Sequence, residues 1–161
     1  MPHYTASFEI ACPVAELFAF FATPANLVPL SPPDWHVELV AGPARLEHGA
    51  RLTWKGRRWG VSQRIVQEIT AFDVENRIVV EQKQGPFARW AHEHRFEEIE
   101  AGTRLSERID FEPPTGLLGR LIDADAIRKD LDKLYAYRMG KLREIFRHSS
   151  LNATDVSDCC N

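Results

Sequence analysis

Two histidines at alternate positions, His92 and His94, stand between two aromatics, Trp90 and Phe96, in the run from Arg89 to Glu100. Residues two apart on a β-strand share a face. Trp90, His92, His94 and Phe96 therefore point one way, and Arg89, Ala91, Glu93 and Arg95 the other. The second set is largely charged and reads as the solvent face, so the imidazoles face inward. The run from Thr103 to Glu112 repeats the pattern, with Leu105, Glu107, Ile109 and Phe111 together. Glu107 is then an acid on an apolar face, where it needs a partner or a raised pKa. Arg138 is its counterpart on a helical stripe, between Leu134 and Leu142. Its stem can pack while its head reaches Glu107, a histidine or a ligand oxygen.

These residue types support two kinds of chemistry. In an enzyme, His92 or His94 would act as general acid or base near neutral pH, with Glu107 fixing the tautomer and Arg138 polarising a carbonyl or enolate. In a binding protein, the same groups would form the polar end of an apolar pocket. Strand parity adds Gln63, among Trp59, Val61, Ile65, Gln67 and Ile69, and Gln82, among Ile78, Val80 and Gln84. The candidate lining is thus Gln63, Gln82, Trp90, His92, His94, Glu107, Phe111, Tyr135 and Arg138. Each also has a plainer reading. The histidines can be hydrogen-bonded core groups, Glu107 and Arg138 a buried structural pair, and the aromatics core filling. Arg57 and Arg58 read as solvated residues of a hairpin turn. Two histidines and a carboxylate match a metal triad in type, but strand neighbours splay apart, and no metal or cofactor is expected.

The elements that must position these groups follow from periodicity. Tyr4 to Ile10 reads as a strand ending at Pro13. Val14, Leu17, Phe18 and Phe21 recur at helical spacing, and a second short helix carries Leu27 and Leu30 after Thr23-Pro24. Six strand runs follow: Trp35 to Ala41, Arg51 to Gly56, Trp59 to Phe72, Arg77 to Gln84, Arg89 to Glu100 and Thr103 to Glu112. The short turns between them imply antiparallel pairing. Gly119 to Arg147 reads as one long helix with Ile127, Leu131, Leu134, Leu142 and Ile145 on its stripe. A domain spanning 1–148 is expected, with a disordered tail at 149–161.

Composition narrows the class. The 161 residues are 44% hydrophobic and 27% charged, with a net charge of −3. That suits one globular domain and gives no electrostatic footprint for nucleic acid. No apolar run approaches the roughly 20 residues of a membrane span, and Met1 to Ala11 lacks the form of a secretory signal. Three cysteines, Cys12, Cys159 and Cys160, form no zinc spacing or disulfide framework. A cytoplasmic protein without stable membrane insertion is expected, as monomer or homodimer.

Several local sequences point to a family. Ile10 to Phe18 resembles a strand-to-helix junction, Thr23 to Leu27 a second helix start, and Gly85 to Phe96 a strand signature. Gly102 to Leu105, Pro114 to Gly119 and Tyr137-Arg138 complete the set. Together they resemble the START-like, or SRPBCC, superfamily of polyketide cyclases/dehydrases, coenzyme Q-binding proteins and birch-pollen-allergen-like proteins. The resemblance runs from Tyr4 to Phe146. It implies an α+β helix-grip fold: a seven-stranded curved antiparallel sheet, two short helices after the first strand, and a long C-terminal helix over the concave face. It also implies a cavity for a small hydrophobic or amphipathic molecule, lipid-, isoprenoid- or polyketide-like. The fold hosts carriers and enzymes alike, so a cyclase or dehydratase remains the alternative.

Overall fold

Alternating burial along the strands and a one-sided helix fix the architecture. The computed structural model describes residues 1–155, with side chains through residue 147. Strand β1 (His3–Ile10) leads through Pro13 into helix α1 (Val14–Phe21) and two 3₁₀ turns, Pro24–Leu30 and Pro33–Trp35. Then come β2 (Glu38–Ala41), β3 (Arg51–Arg58), β4 (Val61–Asp73), β5 (Arg77–Gln84), β6 (Arg89–Ile99) and β7 (Gly102–Glu112). Helix α2 (Gly116–Leu121) and the long helix α3 (Ala124–Asp155) follow. All pairings are antiparallel, and the seven-stranded sheet has the order β1-β7-β6-β5-β4-β3-β2. It curves around α3 in a helix-grip fold.

The core lies between sheet and helices. Leu105, Ile109 and Phe111 of β7 are almost fully buried, as are Ile78 of β5 and Leu52 of β3. Helix α3 contributes Ile127, Leu131, Leu134 and Leu142 of the expected stripe, widened by Tyr135 and Phe146, while Ile145 of that stripe is half-buried. Arg138 lies on the same face and is buried with it. No helix among the described residues is long and apolar enough to cross a membrane.

Several boundaries differ from the sequence pattern. The pattern starts a strand at Trp35, but Pro32-Pro33 set up a 3₁₀ turn that ends at His36 in the left-handed region (φ 47°), so β2 starts at Glu38. The long helix begins at Ala124 because Ile122, at φ −123° and ψ 96°, closes α2 in extended backbone. It also continues past Arg147 to Asp155, so backbone helix occupies part of the 149–161 tail; the rest of that tail lies outside the described residues. The difference at the β3–β4 hairpin matters most. The pattern turns the β3–β4 hairpin at Arg57-Arg58, but the turn is Trp59-Gly60, both at positive φ (50° and 72°). That is the backbone of a two-residue hairpin turn whose twist matches the flanking strands. Arg58 therefore belongs to β3, on the face of Leu52, Trp54 and Gly56.

Candidate functional site

A cavity of about 210 Å³ opens between the concave face of the sheet and α3. Its walls are mostly apolar, including Leu52, Trp54, Ile65, Ile78, Val80, Ile109, Leu131 and Leu134. Of the residues that sequence parity turned inward, Gln63, Gln82, Trp90, His92, His94 and Arg138 line it. Glu107, Phe111 and Tyr135 do not. Parity assigns a face but not a depth. Phe111 is fully buried beside Trp90, with ring centroids 6.1 Å apart, and is core rather than lining. Glu107 and Tyr135 sit behind the histidines, where they hold the wall together. Gln84, expected on the same face as Gln82, is exposed.

The polar cluster is centred on Glu107. His94 lies directly across from it in the β6–β7 ladder, and His92 is the diagonal neighbour, opposite Ile109. His92 Nε2 approaches Glu107 Oε2 at 2.7 Å, and His94 Nδ1 stands 3.6 Å from Oε1. From above, Tyr135 and Arg138, about one turn apart on α3, reach the same carboxylate. The Tyr135 hydroxyl donates to Oε2, and Arg138 Nη1 donates to it at 3.3 Å. Tyr135 Oη also lies 3.0 Å from His92 Nε2. The two imidazoles lie against each other, with centroids 4.0 Å apart.

Burial alone would neutralise Glu107. The adjacent His94 and the Arg138 guanidinium oppose that, as does the hydrogen bond with His92. Together they hold the carboxyl well below its usual range. Burial pushes His92 down to about 4, reinforced by His94, and the bond to Glu107 only partly offsets this. His92 is therefore a neutral imidazole at pH 7. An ionised Glu107 can only accept, so Nε2 carries the proton and Nδ1 is the ring atom not committed to Glu107. Burial and the Glu107 charge also push the Tyr135 phenol well above its usual value, so it remains a donor.

Five buried side-chain atoms have no hydrogen-bond partner among the described residues: Gln63 Nε2, Gln82 Oε1, His94 Nδ1, Glu107 Oε1 and Arg138 Nε. His94 Nδ1 and Glu107 Oε1 face each other at 3.6 Å, so the atoms left open are Gln63 Nε2, Gln82 Oε1 and Arg138 Nε, all on residues that line the cavity. Other polar groups there are held by the fold, since Gln82 Nε2 donates to the Phe87 carbonyl and Trp54 Nε1 to Gln67 Oε1.

The ligating atoms of His92, His94 and Glu107 lie within 4.8 Å of one another, closer than splaying strand neighbours would allow. A cation held there would face the Arg138 guanidinium on the same carboxylate oxygen, and like charge opposes it.

Sequence reasoning missed Arg58. It lines the cavity instead of pointing into solvent. Its guanidinium carbon lies 3.7 Å from the Trp35 ring centroid and 4.7 Å from that of Trp59, and Nη2 meets Asp130 Oδ2 of α3 at 2.5 Å. The available signal was the Trp-Gly pair after it: Gly60 suits a left-handed turn position, which moves the turn past Arg58.

A curved antiparallel sheet gripping a helix over a mixed cavity defines the helix-grip class of ligand-pocket proteins. Within that class, the chain belongs to the family of polyketide cyclases / dehydrases and lipid transport proteins, whose model matches residues 1–147. This places it in the SRPBCC superfamily. A search of the curated proteins finds no match. Among solved structures, TTHA0849 from Thermus thermophilus is similar at 22% identity and TM-score 0.73, covering 92% of this chain and 99% of that one. Ms6760 from Mycobacterium smegmatis is similar at 19% identity and TM-score 0.66, covering 89% of each chain. Major latex-like protein 151 from Panax ginseng is similar at 15% identity and TM-score 0.60, covering 84% of this chain and 93% of that one. At these identities the likeness concerns the fold.

Proposed function

We propose that this protein binds and carries a small apolar or amphipathic molecule, lipid-, isoprenoid- or polyketide-like, in the cavity beneath α3. The observation that carries this reading is the convergence of unpartnered buried polar atoms on one otherwise apolar cavity. Buried polar atoms in folded proteins are nearly always satisfied, so a cluster of exceptions at a cavity wall suits a ligand with an oxygen-bearing group. Gln63, Gln82, His92, His94 and Arg138 would contact that group, Trp90 would pack on the apolar part, and Glu107 and Tyr135 would orient the contacts. The volume of about 210 Å³ is well below the ~300–1,000 Å³ of drug-sized pockets and suits a compact ligand.

A cyclase or dehydratase would need a cavity histidine to exchange protons near neutral pH. Burial pushes His92 down to about 4, which disfavours the protonated form that a general acid needs. Titration of tryptophan emission with amphipathic alcohols, carboxylates and polyketide-like phenols tests the binding reading, because Trp35, Trp54 and Trp90 line the cavity. A saturable one-to-one response to at least one class is expected. No saturable response to any class would overturn the reading. Turnover of a β-hydroxyketone, lost in His92→Gln, would replace it with the enzymatic one.

A further inference from the structure

The cavity wall is charged in one sense. Arg58 and Arg138 bring cationic side chains to it, and no aspartate or glutamate lines it. The Arg138 charge is matched directly by Glu107, which is fully buried behind the wall. Arg58 is placed differently. Its guanidinium packs on both the Trp35 and Trp59 rings, contacts that use none of its N–H groups. Its side-chain hydrogen bond runs from Nη2 to Asp130 on α3, whose side chain is 26% exposed. The other N–H donors of the fork carry no hydrogen bond within the described residues. A planar guanidinium held rigid with spare donors is the usual geometry for two-pronged recognition of a carboxylate.

The position fits an amphipath. Arg58 meets α3 at Asp130, and Arg138 lies roughly two turns, about 12 Å, further along the helix. The wall between them on α3 is Leu131 and Leu134. An apolar chain can lie along that stretch with its charged head on Arg58.

Resting on the reading of this cavity as a ligand site, we propose that Arg58 is its anion-reading residue and that the ligand is an amphipath ending in a carboxylate. The carboxylate takes the free side of the Arg58 fork and shares or displaces Asp130, and the tail runs inward toward His92 and Arg138.

The test compares octanoate with octanol by tryptophan fluorescence on the intact protein. Octanoate is expected to bind at least tenfold more tightly. Arg58→Met should bring the ratio to about one. Asp130→Asn should keep or increase the preference, since the tryptophans hold the guanidinium and a competing carboxylate is gone. Equal binding of the two probes by the unaltered protein would overturn the inference alone. So would a preference that survives Arg58→Met, or one that collapses in Asp130→Asn. Loss of both affinities together in Arg58→Met would show a structural clip rather than a ligand contact. Binding of neither probe by the unaltered protein would overturn the carrier reading along with the inference.

Discussion

Removing the Glu107 carboxylate should be the most damaging single change to the cavity wall. Glu107 is 2% exposed and accepts from Tyr135 and Arg138, with His92 at hydrogen-bond distance; Arg138 is 9% exposed. In Glu107→Leu the guanidinium stays buried with no counter-charge, and breaking a buried pair this way costs about 3–5 kcal/mol. A domain of this kind has roughly 5–15 kcal/mol of stability in all, so the variant should be marginal at room temperature. Arg138→Met should cost a similar amount by stranding the carboxylate. The double variant replaces the pair with apolar groups and leaves no uncompensated charge, so its cost should fall well short of the sum. Glu97 gives the control. It pairs with Arg104, but the two side chains are 65% and 41% exposed, and Glu97→Ala should cost at most about 1 kcal/mol. Urea unfolding of the four variants measures all these quantities. A cost below about 1 kcal/mol for Glu107→Leu would refute the claim of a buried, charged centre, as would strict additivity in the double variant.

Other outcomes follow from the same geometry. Stability should fall as pH drops below 6.5. His92 titrates near 4 in the folded protein, below its ordinary value, so its contribution is complete above about 6.5 and is lost as pH falls toward 4. Glu107, also held below its ordinary range, acts in the same direction at lower pH. For His92 alone the loss is about 3 kcal/mol, and His92→Gln should flatten the slope between pH 6.5 and 4.5 in denaturant titrations. Gly102, at φ +135°, would place an alanine Cβ 2.3 Å from the Ile10 carbonyl oxygen, whereas Gly49, at φ +81°, has open space around it. Gly49→Ala should therefore cost about 1–2 kcal/mol and Gly102→Ala clearly more, as read from thermal unfolding midpoints. Leu131→Ala, at a fully buried helix position facing the cavity, should cost about 2–5 kcal/mol.

Much of this was legible in the chain. Period-two alternation placed His92, His94 and Glu107 on one side of two adjacent strands, and the helical stripe brought Arg138 over them. Alternation does not encode depth, so Phe111 and Tyr135 read as lining although one is core and the other stands behind the wall. Their burial depends on how far α3 rides along the sheet, which is a tertiary quantity. Arg58 was hidden by a turn assignment. Adjacent arginines look like turn residues, and a tryptophan at positive φ is an unusual choice that the cation–π contacts with Arg58 accompany. One residue of displacement in a hairpin reverses which face a side chain serves.

Cavity occupancy can be measured directly by native mass spectrometry with and without a cavity-filling change. Val80 lines the cavity and is 8% exposed, so Val80→Trp should occupy the space while the domain still unfolds cooperatively. With a mixture of medium-chain amphipaths, the expected result is one-to-one adducts on the unaltered protein and their loss in Val80→Trp. No adducts on the unaltered protein, or adducts that persist unchanged in the filled variant, would contradict a ligand site beneath the long helix.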